Sequence, residues 1–192
     1  MAIPLGPTAN WHDVAFKNLK PNQVQHLGNS LIIDADDSSS PLFYRLEKVT
    51  PIKGITAIGS FSGTLKTPNQ EDDYPLRIGL VTPQNEPINW FKKLFAPAWL
   101  KALIEIDPSQ SIKGVHFFIL SHERPRVTSR THPKSDLIQE TFVQELNEGK
   151  FSSSITVEPT IETIAIWLQS DADDSHSKFR LTLNDLSLIT AD

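Results

Sequence analysis

Ile55-Thr-Ala-Ile-Gly-Ser-Phe-Ser-Gly-Thr-Leu65 sets Ile55, Ala57, Gly59, Phe61, Gly63 and Leu65 on one parity. Thr56, Ser60, Ser62 and Thr64 fall on the other, with Ile58 the exception. Successive side chains of an extended backbone point to opposite faces, so this period of two predicts a strand with one buried face and one wet face. Leu76, Ile78 and Leu80 repeat the pattern over a shorter length, while Val115 to Leu120 and Ile164 to Leu168 are apolar on both parities and read as interior strands. Phe179, Leu181 and Leu183 share a parity that Leu186 and Leu188 leave. One extra residue at Asn184-Asp185 would keep both halves facing inward, which predicts a β-bulge there.

Helical periodicity is confined to two places. Trp90 to Ile106 carries apolar residues at Trp90, Phe91, Leu94, Phe95, Trp99, Leu100, Leu103 and Ile104, and Pro97 suits the first turn of a second short helix. Ser135 to Gly149 reads either as a capped helix or, through Ile138, Glu140 and Phe142, as extended chain. Strands outnumber helices. The expectation is a mainly β chain: one domain over residues 1–192, a two-layer antiparallel β-sandwich of jelly-roll type with one or two short inserted helices.

Composition narrows the function classes. The chain has 192 residues and 39% hydrophobic content, enough for one core, and its 8 Gly and 14 Pro are scattered rather than gathered into a linker. A formal net charge of −5, with 18 basic residues in no aromatic-interleaved stripe, argues against nucleic-acid binding. No stretch approaches the ~20 apolar residues of a membrane span. The absence of cysteine excludes disulfides, zinc–thiolate centres, iron–sulfur clusters and thiol nucleophiles. Met1-Ala-Ile-Pro-Leu-Gly-Pro7 has neither a basic nor an apolar leader region, leaving a cytoplasmic protein or an exported one with an added Met.

Two nearly identical segments follow strand-like stretches: Asp34-Ala-Asp-Asp-Ser-Ser-Ser40 after Leu31-Ile-Ile33, and Asp171-Ala-Asp-Asp-Ser-His-Ser177 after Ile164 to Leu168. The strands flanking the second are expected to be an antiparallel pair. Alternating carboxylates and hydroxyls suit calcium, which takes six to eight oxygen ligands, and Asp34, Asp36, Asp171, Asp173 and Asp174 are the candidate ligands. Neither segment is an EF-hand, since the sixth position is Ser39 or His176 rather than Gly and the twelfth is Arg45 or Thr182 rather than Glu. The same residues also close turns through side-chain to backbone bonds.

In order along the chain, Leu31-Ile-Ile-Asp-Ala-Asp-Asp-Ser-Ser-Ser-Pro-Leu-Phe-Tyr44, Glu71-Asp-Asp-Tyr-Pro-Leu-Arg-Ile-Gly-Leu80, and Ile164 to Ser177 followed by Asn184-Asp-Leu-Ser-Leu188 resemble a family of uncharacterised bacterial domains of the galactose-binding-like type. The resemblance implies a jelly-roll sandwich with no established enzymatic activity, often in exported proteins. It also favours a periplasmic or cell-envelope home, and it brings Glu71-Asp72-Asp73, otherwise read as a solvated turn before the strand at Leu76, together with Arg77 into a loop-end site. Asn85 to Ile112 departs from the family and reads as an insertion.

Sugar binding uses flat aromatic faces beside polar groups, so Tyr74, Trp90 and Trp99, with Arg77 to orient hydroxyls, are the candidate ligand-binding residues. Trp11 lies near a loop, whereas Trp167 sits inside an apolar strand and reads as core. The function expected is a non-catalytic module for a carbohydrate or cell-envelope glycan, with calcium as the candidate cation. One alternative is a protein-interaction or structural domain. Another starts from Asp34-Ala-Asp36, which is similar to the nucleophile motif of haloacid-dehalogenase-type magnesium phosphohydrolases. There Asp34 would attack phosphorus, Asp36 would move the proton, Ser121 and Lys134 or Lys150 would hold the phosphate, and Asp173-Asp174 would hold the metal. That chemistry requires a parallel sheet with crossover helices, and Leu42 to Leu65, containing Pro51, offers strand where a helix is required. The Asp-x-Ser-x-Ser pattern also resembles the adhesion motif of von Willebrand A-type domains, which needs the same missing helices. The six histidines show no metal-ligand spacing.

Overall fold

A computed structural model describes residues 1–66, 73–84, 101, 111–122, 128–133 and 135–191. These form β1 (Trp11–Asp13), β2 (Gln23–Leu27), β3 (Ser30–Asp36), β4 (Ser39–Thr64), β5 (Leu76–Gln84), β6 (Ser111–Ser121), β7 (Ser129–Thr131), β8 (Ile138–Glu145), β9 (Gly149–Asp171) and β10 (Lys178–Thr190). The strands make one hydrogen-bonded sheet in the order β2-β3-β10-β4-β9-β5-β6-β8-β7, with β1 added beside β4. No helix among the described residues is long and apolar enough to cross a membrane.

Two long strands turn this sheet into two layers. In β4, residues 39–45 pair with residues 165–171 of β9, the register breaks between Arg45 and Thr50, and residues 50–61 then pair with the earlier part of β9. The second half of β4 also pairs with β10, which pairs with β3. The end of β9 pairs with β5. One layer is therefore β2, β3, β10, the later half of β4 and the earlier part of β9; the other is β1, the start of β4, the end of β9, β5, β6, β8 and β7. Both ends of β4 lie at one end of the molecule: Ser39 pairs with Asp171, and the Lys66 amide donates to Ser177 Oγ at 2.8 Å. The strand has folded back on itself.

The main core fills the space between the layers. Leu31, Ile33, Ile55, Ala57, Leu181 and Leu183 meet Leu42, Leu76, Ile78, Leu80, Phe118 and Leu168 there. Full burial of each such side chain contributes about 1.5–3 kcal/mol before entropy is counted. The outer face of the second layer is apolar too, with Phe43, Val81, Val115, Phe117, Ala165 and Trp167 buried together. This is why β5, β6 and the end of β9 are hydrophobic on both parities. Gly79 lies opposite Trp167, and a Cβ there would come within 2.7 Å of Phe117 Cε1, so the position leaves room for the rings beside it.

The alternation in Ile55 to Leu65 is seen directly, with Ile58 exposed as its one outward hydrophobe. The bulge falls between Leu183 and Asp185, at the parity change. Ser135 to Gly149 resolves as extended chain through β8. Two expectations need correction. β9 and β10 are not partners, because β4 lies between them. Antiparallel pairing also fails once, since β6 and β8 run parallel. The helices expected in Trp90 to Ile106, and with them Trp90 and Trp99, lie outside the described residues apart from Lys101.

Candidate functional site

Both acidic repeats are crossings between the layers at the same end. Residues 37–38 carry the chain from β3 to the start of β4, and residues 172–177 carry it from β9 to β10 in the opposite sense. The crossings bond to each other: the Asp37 amide donates to the Ser177 carbonyl at 2.9 Å and the Ala172 amide to the Ser38 carbonyl at 3.1 Å. Each contains one residue at φ 50°, Asp37 and His176, types that tolerate the left-handed region better than most. The serines are structural. Ser38 Oγ accepts from the Asp36 amide and donates to Asn22 Oδ1, and Ser177 Oγ accepts from the Lys66 amide. The shared hydroxyl pattern thus follows from shared loop closure.

The carboxylates of the two crossings have different fates. In the first, Asp34 receives Arg180 through Nε at 2.6 Å and Nη2 at 2.8 Å, Asp36 receives Lys178 at 3.0 Å, and Asp37 lies 2.6 Å from His176 Nδ1. Asp34 and Asp36 line an open groove of about 520 Å³ with Lys20, Lys178 and Arg180, where each faces a cation of the protein. The hydrogen bond from Lys178 holds the Asp36 carboxyl below its ordinary range. The phosphohydrolase reading fails here, because β3 has antiparallel neighbours on both sides and Arg180 occupies the proposed nucleophile. The adhesion-domain pattern fails for the same reason of fold.

The hydrogen bond and charge of Asp37 raise His176 above its ordinary value of 6.5. A raised histidine stabilises the folded state fully below about pH 6.5, and that contribution is lost as pH rises through the folded value. In an NMR titration of the imidazole, wild type should titrate above 6.5 and Asp37→Asn should return towards it. Coincident curves for the two proteins would show that the contact does not form in solution.

In the second crossing the carboxylates converge. Asp171, Asp173 and Asp73, the last just ahead of β5, each place an oxygen within 4.8 Å of the others. Asp73 accepts from the amides of Asp174 at 3.2 Å and Ser175 at 2.6 Å. Asp171 is buried, and its Oδ2 lies 3.2 Å from Arg77 Nη2 and 3.1 Å from Gln169 Nε2. Burial pushes the Asp171 carboxyl well up; Arg77 opposes this, while Asp173 and Asp73 reinforce it. Asp34 and Asp36 do not join this group. Asp174 contributes its amide to the same turn and carries an exposed side chain.

A polar track leads from this cluster along the outer face of the second layer. Arg77 stacks over the Tyr74 ring at 4.7 Å, Arg130 Nη2 donates to the Tyr74 hydroxyl at 3.2 Å, and Arg130 Nε donates to Glu140 Oε2 at 2.7 Å. Phe142 packs against Tyr74 at 5.6 Å and lies under Arg130 at 5.5 Å. Tyr74 and Arg77 are buried, whereas Arg130 and Phe142 are partly exposed and form the outlet of the track. Glu140 is fully buried, and its Oε1 accepts no hydrogen bond. Sequence reasoning missed Arg130 and Glu140. The available signal was Glu140 itself, a carboxylate sharing the inward parity of Ile138 and Phe142 and therefore requiring a cationic partner. Glu71 and Asp72 lie outside the described residues.

No family model matches the chain. No curated protein sequence is a significant match. Among solved structures it is similar to the family 11 xylanase from Neocallimastix patriciarum, with TM-score 0.47 and 10% identity over 100% of both chains. It is also similar to the carbohydrate recognition domain of Emp47p, with TM-score 0.42 and 10% identity over 100% of this chain and 95% of that one. The enzymatically active domain of tailspike protein 4 from bacteriophage CBA120 gives TM-score 0.40 and 10% identity over 94% of this chain, which spans 19% of that one.

Proposed function

We propose that this β-sandwich is a non-catalytic binding module of galactose-binding-like type whose ligand is a carbohydrate, taken on the outer face of its second layer. The observation that carries the reading is the track from Arg77 through Tyr74 and Arg130 to Glu140, where a buried carboxylate oxygen without a donor sits beside aromatic rings. Buried acceptors are rarely left unmet, and a sugar hydroxyl is a donor of the right size to meet one. Trp90 and Trp99 remain the proposed stacking platforms, with Tyr74 and Arg77 supporting the polar contacts.

Glu140 and Asp171 are not spaced as a hydrolytic pair. β5 and β6 lie between their strands, which puts about 14 Å of sheet between them. Glycosidase carboxyls sit ~5–9.5 Å apart. A broad glycan array should show binding by wild type that falls at least tenfold in Glu140→Gln and in Trp99→Ala, with circular dichroism unchanged. Silence across the array would overturn the carbohydrate reading in favour of a protein-interaction role.

A further inference from the structure

We propose that Asp73, Asp171 and Asp173 form a calcium site that pins the crossing between β9 and β10 to the segment entering β5. The spacing is the first argument. Calcium binds oxygen at 2.3–2.6 Å, so ligands of one ion stand no more than about 5.2 Å apart, and one oxygen from each of the three carboxylates lies within 4.8 Å of the others. Magnesium keeps several waters and takes one or two carboxylates, so three converging protein carboxylates suit calcium better.

The second argument is independent of the clustering. Asp171 is only 6% exposed, and its Oδ2 is taken by Arg77 and Gln169, but its Oδ1 is buried without a hydrogen-bond partner. A buried carboxylate oxygen left this way is destabilising, and a hard cation is a ligand that uses a lone pair no donor occupies. The surroundings agree. The amides of Asp174 and Ser175 hold the Asp73 carboxylate in place and leave it lone pairs to spare. Asp173 is partly exposed, which gives water access to complete the coordination shell. Asp73 and Asp173 add acidic groups beside the Asp171–Arg77 pair, which a divalent cation would offset.

The site adjoins the polar track but does not depend on sugar binding. Calorimetric titration of chelator-treated full-length protein with calcium chloride should show uptake of one ion per chain, with a rise in melting temperature larger than magnesium chloride produces. Asp173→Asn, at a partly exposed position that leaves the core intact, should weaken calcium binding at least tenfold, while Asp34→Asn should leave it unchanged. No heat and no melting shift at millimolar calcium would overturn the proposal. So would an equal response to magnesium, or loss of binding in Asp34→Asn with retention in Asp173→Asn. Calcium uptake with a silent glycan array would support this site and overturn the carbohydrate reading alone.

Discussion

Arg77→Ala should lower the free energy of unfolding by about 3–5 kcal/mol, because it leaves the buried Asp171 carboxyl beside Asp73 and Asp173 without its cationic partner. Both side chains of the Arg77–Asp171 pair are more than nine-tenths buried, so water cannot replace the lost guanidinium. The stack on Tyr74 is lost in the same step. Urea unfolding followed by tryptophan fluorescence measures the change, with a lower midpoint at unchanged slope as the expected form. The double variant Arg77→Met with Asp171→Leu should recover most of the loss, since an apolar pair of similar volume often replaces a buried ion pair at little cost. An Arg77→Ala protein as stable as wild type would mean that water reaches the pair in solution.

Trp167→Ala should be of similar size, about 3–5 kcal/mol, for a different reason. Its ring meets Phe43 edge-on at 4.7 Å and Phe117 at 5.0 Å, and its indole N–H donates to Gln169 Oε1 at 3.1 Å. Removing it opens a cavity between two rings fixed on β4 and β6, which cannot collapse inward without breaking sheet hydrogen bonds. Trp167→Phe keeps most of the area and loses the N–H, so it should cost less than half as much. Thermal melts of the three proteins rank them, and a Trp167→Ala melt within a degree of wild type would contradict the packing described.

The fold was legible where side chains alternate under a single demand. Ile55 to Leu65 has one buried face, and its parity names the buried residues; the change at Asn184-Asp185 marks the bulge because both halves must still point inward. Partner choice was not legible. β9 and β10 flank a short loop, which locally suggests a hairpin, but the long β4 folds back and inserts between them through contacts more than a hundred residues away in sequence. The parallel pairing of β6 and β8 is equally invisible, since parity does not encode strand direction.

The candidate site was half legible. The repeat pointed to the loop end, but identical residue types met different neighbours. Asp34 and Asp36 face Arg180 and Lys178 on the adjacent strand, while Asp171 and Asp173 face Asp73. Arg77 pairs with Asp171 beside Asp73 at the loop end, whereas the Arg130–Glu140 pair depends on a β7–β8 register that no local pattern announces.

The outer face of the second layer, rather than the groove beside the first acidic crossing, is the proposed ligand face. Amide chemical-shift mapping during titration with a panel of soluble oligosaccharides tests it most directly. Shifts concentrated at Arg130, Glu140, Phe142 and Tyr74 are the predicted result; shifts confined to Asp34, Asp36, Lys178 and Arg180 would contradict it.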